Sequence, residues 1–279
     1  TSNDFLFYKD TDGGREQMDA FDSRLTFSQV TPKIALQYMF PSTGMLYATV
    51  TKGYKTGGFN TSFDREEDRT FRPETSWNYE LGAKHPFLDN RLNAEFCFFW
   101  IDWKNQQIYQ MLATQNGQYL RNAGRSESKG VEVSLQGNPV NGLMLQVNYG
   151  FTHAKDYKDE RRGIDYSGNF LPMVPRHTFA VGADYTIPNP CRHIDRFTVS
   201  ANYTGTGRIL WKEENKVSQP YYGLLNAKVS ATKDFITFAI WAKNMTGADY
   251  SAFYFETGGK GLAQKGRPFT IGGNIQLSF

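Results

Sequence analysis

The sequence lacks the features that mark several common classes of protein. Its two cysteines, Cys97 and Cys191, are far apart and belong to no CxxC or Cys/His cluster, so we expect neither a disulfide framework nor a cysteine metal site. No apolar run approaches the about 18 residues that a transmembrane helix requires. The 31 basic residues nearly balance the 28 acidic ones and are mixed with them along the chain, which gives no support to nucleic-acid binding.

Motifs of the common enzyme classes are also missing. The chain contains no GxSxG, HExxH or paired-carboxylate arrangement. Its glycine pairs, Gly57-Gly58 and Gly258-Gly259, do not lead from a strand into a helix as phosphate-binding loops do. We therefore expect no enzyme activity, no metal and no cofactor. Since the chain begins at Thr1 without an initiator methionine or signal peptide, we expect a processed or excised piece of a longer protein.

Aromatic residues are abundant, at 15% of the chain, and with Gly, Asn and Thr they form a composition typical of strands and turns. Apolar and polar residues alternate strictly in many segments. In residues 143–151, Leu, Leu, Val, Tyr and Phe at odd positions oppose Met, Gln, Asn and Gly at even positions. The alternation recurs in 197–204 and 269–279, and it predicts strands with one apolar and one polar face.

The connections between these segments alternate in length. Short turns at 41–44, 88–90, 138–142, 188–195 and 232–234 alternate with long polar links at roughly 10–23, 57–72, 111–118, 154–172, 205–219 and 244–266. Short turns at one rim and long loops at the other are typical of an outer-membrane barrel. Apolar and polar residues also alternate in a soluble antiparallel sheet with one face in water. Such a sheet, however, is not expected to have its short loops at one end and its long loops at the other.

Counting segments between links predicts about eleven strands, plus a stub at residues 5–8. Closed bacterial barrels have an even number of strands, so either the stub completes a small barrel of about twelve or the chain is a piece of a larger one. We favour the piece, and no domain boundary is visible within 1–279. The expected fold class is all-β, an antiparallel transmembrane β-barrel wall.

Six ordered motifs resemble the C-terminal barrel portion of TonB-dependent outer-membrane receptors. They are Leu46-Tyr47-Ala48 with 52–60 (KGYKTGGFN), Pro73-Glu74 with 80–84 (ELGAK), Asn122-Ala123-Gly124 with 129–132 (KGVE), Pro175-Arg176-His177, Lys243-Asn244 and the terminal Phe279. Each motif is weak alone, but the ordered set is specific and spans most of the chain.

The resemblance implies a barrel of about 22 strands in the bacterial outer membrane. It also implies an N-terminal plug and uptake of a scarce nutrient powered by the inner-membrane TonB complex. A ferric siderophore or haem is the first cargo expected, with cobalamin or an oligosaccharide as alternatives. The plug and about half of the strands are absent from 1–279, and a half barrel would expose two sheet edges to lipid. We therefore expect a partner that carries the plug and the remaining strands, within the same gene product or a second chain. A passive porin and a soluble β-sandwich enzyme are the competing interpretations.

Ligand contacts are expected in the long links, where aromatic and cationic side chains suit flat or anionic ligands. The candidates are Tyr54, Phe59, Arg65, Arg69, His153, Tyr157, Arg161, Trp211 and Tyr254. For each, the alternative is a loop residue that merely faces water, and His153 alone supplies no second ligand for a haem or metal. For Phe279, the resemblance implies a signal for the barrel-assembly machinery, with a place in the aromatic belt as the alternative.

Overall fold

A computed structural model describes residues 2–11, 14–41, 43–112, 118–122, 124–155, 160–161, 164–257 and 260–279. Within these ranges the chain forms one 3-10 helix, Glu66–Arg69, and no helix long and apolar enough to cross a bilayer. The strands are β1 (Ser2–Thr11), β2 (Gly14–Arg24), β3 (Lys33–Met39), β4 (Met45–Lys55), β5 (Gly58–Phe59), β6 (Thr70–Phe71), β7 (Glu74–Phe87), β8 (Leu92–Lys104), β9 (Gln107–Met111), β10 (Gln118–Asn122), β11 (Arg125–Gly137), β12 (Leu143–Lys155), β13 (Glu160–Arg161), β14 (Ile164–Asp165), β15 (His177–Cys191), β16 (Ile194–Thr206), β17 (Ile209–Leu210), β18 (Ser218–Gln219), β19 (Tyr222–Lys233), β20 (Ile236–Lys243), β21 (Ser251–Thr257), β22 (Lys260–Lys265) and β23 (Thr270–Leu277).

Eleven of these strands form one sheet, the wall sheet, in the order β3-β4-β7-β8-β11-β12-β15-β16-β19-β20-β23. Every neighbouring pair is antiparallel. The expected count of about eleven wall strands is therefore confirmed, and the wall is a partial barrel.

The register separates the wall sheet into an apolar and a polar face, as the alternation predicts. Leu81 lies opposite Phe98, Phe98 opposite Val131, and Val131 opposite Phe151. Large apolar side chains on this outward face are open to the surroundings; Leu81 is 58% exposed and Ile275 69%. The opposite, inner face carries a polar row that includes Glu132 and Thr178. Such a sheet matches a wall between lipid and lumen.

The two rims of the wall sheet differ in the length of their connections. At one rim the links are short, and turn geometry explains them: Leu88, Asp89 and Asn90 adopt positive φ angles of 53°, 55° and 66°. At the other, the long-loop rim, the connections are 56–73, 105–124, 156–176, 207–221 and 244–269. The predicted segregation of short and long links is present.

Several strands at the N-terminus and within the long links lie outside the wall sheet, and the link expected at 10–23 needs correction. Residues 5–8 lie in β1, which pairs with β2 and not with the wall sheet, so the stub is not a twelfth wall strand. The link expected at 10–23 is largely strand β2. Several other long links also contain hairpins, such as β21 with β22. These hairpins were missed because a hairpin that projects from the membrane has no lipid-facing side to impose strict alternation.

The two outermost wall strands, β3 and β23, each pair with one neighbour within the described residues. Their free edges present unpaired backbone donors and acceptors, which lipid does not tolerate.

Val147 and Gln146 provide a direct test of the two faces, since they are adjacent in β12 and point to opposite sides. We expect Val147→Arg to lower the free energy of unfolding in a bilayer by about 2–4 kcal/mol, because an arginine at mid-strand must enter lipid. Gln146→Arg, the matched control, is expected to cost much less because its side chain enters the lumen. Denaturant unfolding in lipid vesicles measures both, and equal costs would contradict the assignment of faces.

Candidate functional site

The inner face of the wall sheet holds a groove of about 760 Å³. Its lining is drawn from strands β4 to β16 and includes the polar side chains of Tyr47, Glu80, Cys97, Glu132, Asn148 and Thr204. Thr49 Oγ1 lies 3.4 Å from Glu80 Oε2 on the same face. The groove is therefore a surface of mixed apolar and polar side chains on the inner side of the wall, with carboxylates among its polar groups.

Above the groove, buried amides fix the bases of the long loops. Asn244, 4% exposed, donates from Nδ2 to the carbonyls of Ala248 and Arg267, both at 3.0 Å. Its Oδ1 accepts from Ala248 N and from the Thr246 hydroxyl. Because Ala248 and Arg267 lie near opposite ends of the connection 244–269, one side chain closes the base of that loop.

The connections 56–73 and 105–124 are joined in the same way. Asn60 Nδ2 donates to the carbonyls of Asp68 and Leu120, both at 2.7 Å, and its Oδ1 accepts from Leu120 N. Asn122 bonds both the N–H and the carbonyl of Arg72. Gln107 N donates to Glu74 Oε2 at 2.6 Å. The described parts of these two loops are therefore bonded together, and they are here called the first loop cluster (56–73 with 105–112, 118–122 and 124).

A second loop cluster joins the described parts of connections 156–176, 207–221 and 244–269. Asn215 Oδ1 accepts from Phe170 N at 2.8 Å, and Asn215 Nδ2 donates to Phe170 O at 2.9 Å. Gln219 Oε1 accepts from Ser251 N at 2.8 Å. Lys212 Nζ lies 2.6 Å from Glu256 Oε2. Three loops that are distant in sequence thus form one surface at the long-loop rim.

The ion pair in this second loop cluster shifts the proton affinities of its members. Hydrogen bonds from Lys212 and from the Tyr254 hydroxyl hold the pKa of Glu256 below its usual range. Desolvation acts to lower the pKa of Lys212, but the hydrogen bond to Glu256 and the charge of Glu214 outweigh it, so the pKa is raised. The pair is therefore charged near neutral pH.

In the first loop cluster the candidate residues differ in their surroundings. Arg65 is an exposed side chain paired with Glu67 at 3.2 Å. Arg69 is mostly covered, with its guanidinium 2.8 Å from Glu66 and 5.0 Å from the centre of the Phe63 ring. Phe59 lies in β5, paired with β6. Tyr54 is near the end of β4, and its hydroxyl is buried without a hydrogen-bond partner in the described part of the chain.

Two further candidates, Trp211 and Tyr254, belong to the second loop cluster, and His153 contacts it. Trp211 is buried, at 7% exposure, and Tyr254 is half-buried and donates to Glu256 Oε1 at 2.8 Å. His153 belongs to the outward face and its ring meets Phe170 edge-on at 5.5 Å. Arg161 lies in strand β13, and Tyr157 lies outside the described residues.

At the short-turn rim, Phe279 is fully exposed and stacks on Phe235 with ring centres 5.4 Å apart. This position fits an aromatic belt. Its role in barrel assembly stays a prediction.

The residues that organise the loops were not predicted as site residues. Asn60, Glu74, Asn122 and Asn244 stand inside the motifs that carry the resemblance, and each is a hydrogen-bonded loop anchor. Polar residues within otherwise strand-like motifs were the available signal. Across the described residues, no three His, Cys, Asp or Glu side chains converge on a metal-binding geometry.

A two-faced antiparallel wall with short turns at one rim and anchored loops at the other defines an outer-membrane type of β-barrel. The family model "TonB dependent receptor-like, beta-barrel" matches residues 6–245. The chain belongs to this family, whose members are outer-membrane transport receptors. The expected family and fold class are thereby confirmed.

Characterised relatives are similar over much of this chain. The pesticin receptor of Yersinia pestis is 24% identical over 254 residues, which cover 90% of this chain and 36% of the receptor. The ferric-pyoverdine M114 receptor of a Pseudomonas species is 27% identical over 176 residues, or 62% of this chain and 20% of the receptor. The chain thus spans about a third or less of the length of these relatives.

Solved structures share the fold. The ferric yersiniabactin uptake receptor of Yersinia pestis superposes with a TM-score of 0.76 at 22% identity, covering 95% of this chain and 38% of that one. The ferric-catecholate import receptor of E. coli gives a TM-score of 0.72 at 18% identity, covering 100% and 40%.

The Asn244 anchor can be tested by removing its amide. We expect Asn244→Ala to lower the free energy of unfolding by about 1–3 kcal/mol, because it leaves the buried groups that it pairs unsatisfied. Hydrogen exchange should also quicken in 244–269. Asn274→Ala is the control, because Asn274 is exposed on the inner face and its side chain forms no hydrogen bond with the described residues. Unchanged exchange in the Asn244 variant would mean that the amide does not hold the loop.

The Lys212–Glu256 pair should make the contact between loops 207–221 and 244–269 less stable in acid. Because the pKa of Glu256 is lowered by folding, the pair stabilises the loop contact above the ordinary glutamate pKa. That stabilisation is lost as pH falls through the lowered value. We expect hydrogen exchange in 207–221 and 244–269 to rise below about pH 4 and to lose this dependence in Glu256→Gln. The same acid-induced rise in both proteins would count against the pair as its origin.

Proposed function

We propose that this chain supplies barrel wall and ligand-capturing loops to a TonB-dependent receptor that imports a ferric siderophore across the bacterial outer membrane. The observation that carries the proposal is the combination of a groove on the inner face of the wall sheet with packed loop clusters at its long-loop rim. Several relatives are named for iron complexes, including pyoverdine and yersiniabactin receptors. That naming supports the cargo class proposed for this chain.

The proposal extends to partners that complete the barrel. The wall sheet has two open edges, and each unpaired backbone group there would cost several kcal/mol in lipid. We therefore propose that residues 1–279 form a single part of a larger barrel, closed by further strands and filled by a plug that contacts TonB. The chain then has a transport role and no catalytic one.

Within the first loop cluster, Arg65 is the proposed ligand contact. Its side chain is 66% exposed and its partner Glu67 65%, so water screens the ion pair and leaves the guanidinium able to bind an anionic ligand. Arg69 and Trp211, which are largely covered, are proposed to shape the loops instead. Tyr254 orients Glu256 beside Lys212 in the second loop cluster.

Uptake by a strain lacking the complete gene tests the import role. We expect uptake of radioactive iron carried by one ferric siderophore to fall to background, and the gene on a plasmid to restore it. Collapse of the proton gradient should abolish uptake, since TonB coupling requires it. Uptake that survives this collapse would indicate a passive porin. If the strain failed to take up only cobalamin or only an oligosaccharide, that nutrient would be the cargo instead of a siderophore.

The loop role is tested in the same strain with Arg65→Gln. We expect the half-saturating siderophore concentration to rise by on the order of tenfold, as for loss of one charge-assisted hydrogen bond. Arg192→Gln, which removes an exposed arginine at the short-turn rim, is the matched control and should leave uptake unchanged. Equal effects of the two variants on uptake would show that Arg65 does not contact the ligand.

A further inference from the structure

Two cations meet over one aromatic ring at the long-loop rim. Lys155 Nζ lies 4.4 Å from the centre of the Phe170 ring, and the Arg176 guanidinium carbon lies 4.9 Å from the same centre. The His153 ring contacts Phe170 edge-on at 5.5 Å. Ring attraction stabilises each cation by a modest amount, yet it places two like charges close together.

These side chains belong to the outward face and not to the lumen. His153 and Lys155 continue the odd-numbered series of Val147 and Phe151 along β12. Arg176 directly precedes β15, and its carbonyl accepts from Thr152 N at 2.9 Å. Its guanidinium also lies 5.8 Å from the Phe151 ring. The cations therefore stand at the upper margin of the surface that faces lipid.

Neighbouring charges on the same margin are already paired. Arg125 forms a two-pronged pair with Asp102, at 2.7 and 3.0 Å, and Lys129 pairs with Glu127 at 2.9 Å. Within the described part of the chain, no ion pair involves Lys155 or Arg176. Glu127 lies opposite Lys155 in the strand register, but its carboxylate is bonded to Lys129. Among the described residues, Lys155 and Arg176 are therefore two positive charges that form no ion pair with a carboxylate.

We propose that Lys155 and Arg176 bind the phosphorylated headgroup of a lipid in the outer leaflet. A guanidinium binds phosphate oxygens in a fork and an ammonium adds a point charge. Phe151 and Phe170 beside them suit the headgroup level of a membrane, where aromatic rings concentrate. Clustered cations at that level attract anionic lipid. The inference relies on the membrane location in the proposed function, but not on its cargo.

The test uses the complete receptor in nanodiscs of phosphatidylcholine mixed with phosphatidic acid, whose headgroup is a bare phosphate. Native mass spectrometry counts the phosphatidic acid molecules that remain bound. We expect phosphatidic acid to be enriched over phosphatidylcholine. In Lys155→Gln/Arg176→Gln the enrichment should fall by on the order of tenfold, because each Lys or Arg near a membrane surface strengthens the attraction of anionic lipid severalfold. The single variants should give intermediate values, and they keep the test possible if the double variant fails to fold.

Lys216→Gln/Lys260→Gln removes the same charge from exposed loop positions and is the matched control. It should retain the enrichment. Equal loss in both double variants, no enrichment in the unmodified receptor, or full displacement by inorganic phosphate at a concentration matching the lipid would each overturn the proposal. A receptor that enriches phosphatidic acid but imports no ferric siderophore would reject the proposed cargo and keep this site.

Discussion

The absence of water from the bilayer interior is the constraint on which the wall depends. A strand there must give every backbone donor and acceptor to a neighbour, and the antiparallel register does so for the nine interior strands of the wall sheet, which have a neighbour on both sides. The same constraint makes the outermost edges incomplete. A chain that spans about a third of its relatives' length is consistent with a wall segment that needs further strands.

The long-loop rim follows a different physical rule, because water is present there. Amide side chains such as Asn60 and Asn244 replace the regular ladder by bonding backbone groups that the loops leave unpaired. Each bond contributes little by itself, but several from one buried side chain hold a loop at both ends. Such bonds keep the bases of the loops in place at the rim of the wall sheet.

The alternation in the sequence was sufficient to predict the wall, since residues 143–151 and 269–279 place their apolar side chains outward as expected. The rim was less predictable. Asn60 bonds Leu120, which is 60 residues away, and Trp211 is buried although no local pattern in the sequence reveals it. The first strands were misjudged because β1 and β2 pair with each other away from the wall.

Anchoring at the loop bases also bears on how such proteins diversify. Apart from the Thr246 hydroxyl, the hydrogen bonds of the Asn244 side chain go to backbone atoms near the two ends of its loop. The intervening residues can therefore be exchanged, lengthened or shortened with little disturbance to the strands below. Selectivity for new cargo could then evolve by replacing loop interiors, while the membrane-embedded scaffold is inherited intact.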